Sequence, residues 1–164
     1  MDPKTRLDKA LHYAVARCGA GESPPKLAAA MRHSVFPGGA RVRPQLCLAV
    51  AGACGDDQPA LADAAAASLE LMHCASLVHD DLPCFDDADI RRGQPTVHVK
   101  WSEPLAVLAG DALIVLAFET LARAGGLAPA RLPGLIGALD RATGMAGGKR
   151  AGKGGGREGA IAHG

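Results

Sequence analysis

The sequence predicts an all-α fold, and three observations carry that expectation: an apolar content dominated by Ala and Leu, few aromatics, and apolar residues recurring at three and four positions. Hydrophobic residues make up 48% of the 164 and aromatics 3%, a balance that suits packed helices better than sheets. A chain of this length can bury one core, and a formal net charge of +1 fits a globular protein rather than a disordered one. The near-neutral balance lacks the broad positive field on which nucleic-acid binding relies, so no nucleic-acid partner is expected. Five cysteines stand without CxxC pairs or zinc spacing, and their odd number argues against a disulfide framework; they read as reduced thiols in a cytoplasmic protein.

Leu7, Leu11, Ala14 and Val15 mark a first amphipathic helix that stops near Gly19-Ala20-Gly21, and its alternation of charged and apolar residues lacks the apolar stretch of a signal peptide. A second short helix follows Ser23-Pro24-Pro25, with Leu27, Ala30 and Met31 inward. Phe36-Pro37-Gly38-Gly39 is a turn that releases the chain into a helix from near Arg41 to about Cys54, with Pro44 tolerated in its first turn. Asp56-Asp57 is expected to cap a helix of about twenty-four residues ending close to Asp80, with Pro59 as its early proline. Pro83 then leaves Asp80 and Asp81 at or just past the last regular turn. The Ala-rich residues 60–78 are interrupted by Asp63, Ser68, Glu70 and His73, so no membrane span is expected. Ser102-Glu103-Pro104 opens a helix to about Arg123, closed by Gly125-Gly126, and a further helix runs from about Pro129 to Thr143.

Residues 149–164 break the pattern: six are Gly, four are Lys or Arg, and Ile161 is the one large apolar residue. Such a segment buries too little surface to offset its ordering entropy, so a disordered tail is expected after a helical domain of residues 1–148. Without aromatics or repeats it is a poor arginine-glycine nucleic-acid segment.

The chemistry concentrates between His73 and Arg92. Asp80, Asp81, Asp86, Asp87 and Asp89 crowd together and Arg91 and Arg92 follow directly. Five adjacent carboxylates are unfavourable unless something cationic joins them. Mg²⁺ is a hard ion that takes oxygen ligands, keeps waters, and bridges one or two carboxylates to a phosphate; two arginines can hold the rest of a diphosphate. The plain alternative is a solvated loop of mutual salt bridges. Helix spacing favours a site, because His73, Ser76 and Asp80 share one side over two turns. An EF-hand fits poorly, since the alternating acids, central Gly and terminal Glu are absent. His73 taken alone is as readily a satisfied core histidine.

Gly38-Gly39-Ala40-Arg41-Val42-Arg43-Pro44, His73, Asp80-Asp81-Leu82-Pro83-Cys84-Phe85-Asp86 and Arg91-Arg92-Gly93-Gln94-Pro95-Thr96, in this order, resemble successive motifs of bacterial and plant farnesyl and geranylgeranyl diphosphate synthases. The likeness runs from about residue 24 to Gly148 and stays strong through Leu105 to Leu113. It implies the N-terminal part of an isoprenoid synthase helical bundle that condenses isopentenyl diphosphate with an allylic prenyl diphosphate. By that resemblance Asp80 and Asp86 would be Mg²⁺ ligands with Asp81 assisting, and Arg91 would contact the allylic diphosphate. Arg43, His73 and Arg92 would bind isopentenyl diphosphate. The small Ala75 and Ser76 stand where the family places the floor of its hydrocarbon pocket, and four residues rather than two separate Asp81 from Asp86; both favour the geranylgeranyl type, with farnesyl diphosphate as the expected allylic substrate.

Two departures qualify the resemblance. Ala40 occupies a position where relatives carry a diphosphate-binding lysine, for which Arg41 is a candidate substitute. The family's second aspartate-rich motif is missing, and after Asp140 Glu158 is the sole acid. With the Gly/Ala/Arg-rich character past Gly148, a truncated or frameshifted chain is expected, one that does not elongate prenyl chains by itself. Homodimers are usual among the complete enzymes resembled. Rival readings are a farnesyl diphosphate synthase, a non-catalytic subunit that pairs with a complete synthase, and a terpene cyclase; the last is disfavoured because the Gly-Gly-Ala-Arg-Val-Arg-Pro segment and Arg91-Arg92 argue for two diphosphate sites.

Overall fold

Asp2 accepts a hydrogen bond from the Thr5 amide at 3.1 Å and Pro3 occupies the first turn, so α1 (Pro3–Arg17) starts as a well-capped helix. Its buried residues are Leu7, Leu11, Ala14 and Val15, the four that the spacing predicts. The structure, a computed structural model, describes residues 2–18, 24–36 and 38–143. The expected turn at Gly19-Ala20-Gly21, Pro37 and the expected disordered tail lie outside them. Next come α2 (Pro25–Val35) and α3 (Val42–Ala53), then α4 (Pro59–Asp80). A two-residue hairpin pairs β1 (Ile90–Arg91) with β2 (Gln94–Pro95) in antiparallel register, Ile90 opposite Pro95 and Arg91 opposite Gln94. The short α5 (Val97–Lys100) leads into α6 (Glu103–Ala124), whose Ser102 caps the Leu105 amide. Two 3-10 turns, Gly125–Leu127 and Pro129–Arg131, connect to α7 (Leu132–Thr143).

The architecture is all-α, as expected, with α4 and α6 packed along each other as its centre. They run antiparallel: Ser68 donates to the Ala117 carbonyl at 2.8 Å, while His79, eleven residues further along α4, reaches back to the Val107 carbonyl at 3.3 Å. Small buried residues, Ala66, Ala67 and Ala75 on α4 and Ala106, Ala109 and Ala117 on α6, line the interior faces, and Leu71, Leu113 and Leu121 fill the remaining space. Burying each leucine contributes about 1.5–3 kcal/mol. Pro59–Asp80 and Glu103–Leu127 are both long and apolar enough to cross a membrane by length and composition, which corrects the expectation that residues 60–78 are too polar for it. Here they serve as core helices, and Ser68 and Glu70 are buried with partners.

Two further details differ from expectation. Asp56-Asp57 does not cap α4. Gln58 holds the cap position without a side-chain hydrogen bond, because both aspartates turn to arginines, Asp56 to Arg6 and Asp57 to Arg131. The helix expected from near Arg41 to about Cys54 is borne out as Val42–Ala53, with Arg41 at its cap position left-handed at φ 52°. The hairpin was not anticipated; Arg92 (φ 53°) and Gly93 (φ 77°) form two consecutive left-handed residues, the turn that matches strand twist.

Candidate active site

Helix α4 ends at Asp80, and the chain does not leave its end but folds back over it. The Phe85 and Asp87 amides donate to the Leu82 carbonyl at 2.9 and 3.1 Å, Ala88 to Asp81 at 3.2 Å, and the Asp86 amide to the Asp80 carbonyl at 2.8 Å. Leu82 anchors the loop by burial, and Asp87 takes a left-handed conformation (φ 49°) to close it. The four intervening residues thereby bring Asp86 back beside Asp80. Asp81 has a different fate: it is buried and chelated by Arg91, whose Nε lies 2.7 and 2.9 Å from its two oxygens and whose Nη2 lies 2.6 Å from Oδ1. Arg91 thus gives its fork to Asp81 and leaves Asp80 and Asp86 to each other.

The electrostatics of this pair follow. Burial raises the Asp80 carboxyl above its ordinary range and the negative charge of Asp86 raises it further, against the opposing pull of Arg91. Among the described residues no three His, Cys, Asp or Glu side chains gather as an all-protein metal cage. Two neighbouring carboxylates short of positive charge are nonetheless the donor set that suits Mg²⁺, which prefers oxygen, keeps several waters and needs only one or two carboxylates when a phosphate supplies the rest. The residues present fit that ion.

A basic basin lies alongside. Arg43, in the first turn of α3, places Nη1 at 3.4 Å from His73 Nε2 on α4. Burial lowers the His73 imidazole below its usual value and Arg43 lowers it further, with Arg92 and Arg91 adding to the effect and Glu70 opposing it. Arg92 packs on Gly39: a Cβ there would stand 2.9 Å from its Nε. His73 is half-buried while Ser76 and Asp80 are exposed, so the three open on one side of α4, with the Ser76 hydroxyl donating to the His73 carbonyl at 2.9 Å. On α3, Leu46 and Val50 continue the face of Arg43 and are more than half exposed, an apolar strip running away from the basin.

The structure therefore brings together Asp80 with Asp86, and Arg43 with His73 and Arg92, and it joins Asp81 to Arg91. Two of the candidates are elsewhere. Arg41, considered a substitute for the lysine missing at Ala40, is buried: Nη1 donates to Glu70 Oε1 at 2.6 Å and Nη2 to the Val35 carbonyl at 2.7 Å, which turns its charge into the core. Ala75 is likewise buried, so of the two small residues upstream of Asp80 only Ser76 reaches the open side. Sequence reasoning missed the anchor of the acidic end. His79 lies against α6, near the Val107 carbonyl and 3.5 Å from Asp111, with its ring occupying the place where a Cβ of Gly110 would be. The Gly110-Asp111 pair in the strongly matching segment was the available signal.

The helical bundle thus presents a doubled acidic group at the end of α4 beside a separate basic basin. The chain belongs to the polyprenyl synthetase family, whose model matches residues 24–144. It is 61% identical over 149 residues to a geranylgeranyl diphosphate synthase of Cereibacter sphaeroides, covering 91% of this chain and 52% of that protein. Over 148 residues it is 57% identical to the geranylgeranyl diphosphate synthase of Rhodobacter capsulatus, covering 90% and 51%. Among solved structures, a geranyltransferase from Legionella pneumophila superposes with a TM-score of 0.80 at 34% identity, covering 88% of this chain and 50% of that one. An FPP/GFPP synthase from Zymomonas mobilis superposes with a TM-score of 0.74 at 36% identity, covering 88% and 54%. The chain thus spans about half the length of the curated relatives it matches.

Proposed function

We propose that this chain carries the allylic and isopentenyl diphosphate sites of a magnesium-dependent prenyltransferase that makes geranylgeranyl diphosphate from farnesyl and isopentenyl diphosphates. The observation that carries the reading is the juxtaposition of two differently charged sites: among the described residues, neither Asp80 and Asp86 nor Arg43, His73 and Arg92 form a salt bridge. Relatives named for geranylgeranyl diphosphate synthesis support it.

In this reading Asp80 and Asp86 hold Mg²⁺, which when bound neutralises charge on the diphosphate that leaves the allylic carbon. Arg91, held rigid by Asp81, lies beside those acids and stabilises the same developing charge, an interaction stronger in the transition state than before it. Arg43, Arg92 and His73 grip isopentenyl diphosphate in the neighbouring basin, where the imidazole offers an N–H donor. The allylic cation is attacked by the isopentenyl double bond and the product loses a proton, so the walls must exclude water; Leu46, Val50 and the small Ser76 provide apolar surface and room for a long tail. A cytoplasmic location and a homodimeric assembly belong to the same proposal.

Calorimetry with farnesyl diphosphate tests it: binding is expected with Mg²⁺ and lost with chelator, and equal affinity in both overturns the reading. With radiolabelled isopentenyl diphosphate added, the 164 residues alone are expected to bind without yielding twenty-carbon product. Product length is tested in a synthase carrying this segment by Ser76→Phe, which should shorten the product to fifteen carbons.

A further inference from the structure

Arg41 carries a charge that the reaction proposed above does not use. It sits in a left-handed conformation, withdrawn from solvent, with one guanidinium nitrogen on Glu70 and another on the Val35 carbonyl. Glu70 is buried as well, and Cys74 Sγ lies 3.8 Å from the same carboxylate oxygen. A single side chain thus ties the end of α2, the start of α3 and the middle of α4.

A buried ion pair is a poor source of stability, because desolvation offsets most of its attraction and an apolar pair of similar volume fills the space as well. What an apolar pair cannot reproduce is the direction of a planar fork, which fixes where the 38–42 turn sits. The basin depends on that turn. Arg43 follows Arg41 by two residues and reaches His73; His73 follows Glu70 by three residues, about one turn along α4. The two glycines of the turn each make room for a guanidinium, Gly38 for Arg41 and Gly39 for Arg92.

We infer that Arg41 and Glu70 form a positioning pair: they fix the start of α3 against α4 so that Arg43, His73 and Arg92 face one diphosphate, and neither of the two touches it. The inference rests on the basin being a diphosphate site. Three variants of the 164-residue chain test it: Arg41→Lys, the double replacement Arg41→Met with Glu70→Leu, and Arg43→Ala. Each is measured by thermal unfolding, by NMR titration of the His73 ring without ligand, and by calorimetry with inorganic pyrophosphate with Mg²⁺ chelated, so that the acidic pair does not contribute.

Arg41→Lys keeps both charges but loses the fork, so His73 should titrate closer to the ordinary imidazole value of about 6.5 as Arg43 drifts away. The double variant should still unfold cooperatively, yet bind pyrophosphate about tenfold more weakly. An unmoved His73 titration in Arg41→Lys overturns the inference, whether or not binding falls, since a direct ligand would act without moving Arg43. A folded double variant that binds as the parent does overturns it too. Failure of both variants to fold marks the pair as a plain stability element and also overturns it. Arg43→Ala is the separate control: unchanged pyrophosphate binding there defeats the reading of the basin, while the ligand-free His73 titration still judges the positioning.

Discussion

The two ends of α4 begin from nearly the same four residues, Asp56-Asp57-Gln58-Pro59 and Asp80-Asp81-Leu82-Pro83, and the fold gives them opposite fates. At the first end every aspartate meets an arginine. Arg6 bonds Asp56 at 2.6 Å and Asp63 at 2.7 Å and reaches the Pro59 carbonyl at 3.1 Å, while Arg131 chelates Asp57 at 2.8 and 2.6 Å. At the second end Arg91 bonds Asp81, and among the described residues no cation forms a salt bridge with Asp80 or Asp86, which the loop brings together. The carboxyls record the difference: Arg131 holds Asp57 below its ordinary range, whereas burial and Asp86 push Asp80 above it. A cluster of acids and arginines is therefore not a site by composition. The candidate is the end where the fold leaves negative charge unmatched.

The sharpest way to break this contrast is to remove the unmatched charge. Replacing Asp80 and Asp86 together by Asn should weaken Mg²⁺-dependent pyrophosphate binding by about a hundredfold or more in calorimetry, without lowering the melting temperature, because repulsion is relieved. At the opposite end Arg6→Ala leaves two partly buried aspartates without their partner. It should cost about 2–3 kcal/mol in denaturant unfolding and leave pyrophosphate binding intact. A smaller effect is expected from Ala40→Lys, which adds a cation at the mouth of the basin and should tighten isopentenyl diphosphate binding by about 1 kcal/mol. The smallest concerns pH. Because the folded His73 titrates below the unfolded imidazole, the unfolded chain takes up the proton first as pH falls. Its contribution to stability is complete above about pH 6.5 and declines from there down to the folded pKa; His73→Gln should flatten that part of the stability profile.

What was readable in the sequence is what local periodicity controls. Leu7, Leu11, Ala14 and Val15 fixed the buried face of α1, and the Ala-rich run with its prolines bounded α4 within two residues. The acidic segment stood out by its spacing. That Asp86 returns to Asp80 was not readable, since it depends on four backbone hydrogen bonds in a loop without periodicity. Nor could spacing tell Arg41 from Arg43. Both are arginines at the start of one helix, and only the buried Glu70, concealed in an apolar run, decides which turns inward. The hairpin escaped because a left-handed arginine is an uncommon choice for a tight turn.

Gly110 sets a length scale for the whole acidic end. The His79 ring rests where a side chain of that residue would project, so a side chain of α4 lies directly on the α6 backbone at the residue just before Asp80. A single methyl group on α6 would displace the His79 ring from this seat, at the residue next to Asp80. The acidic end is thus seated from across the bundle, on a residue whose contribution is to have no side chain at all.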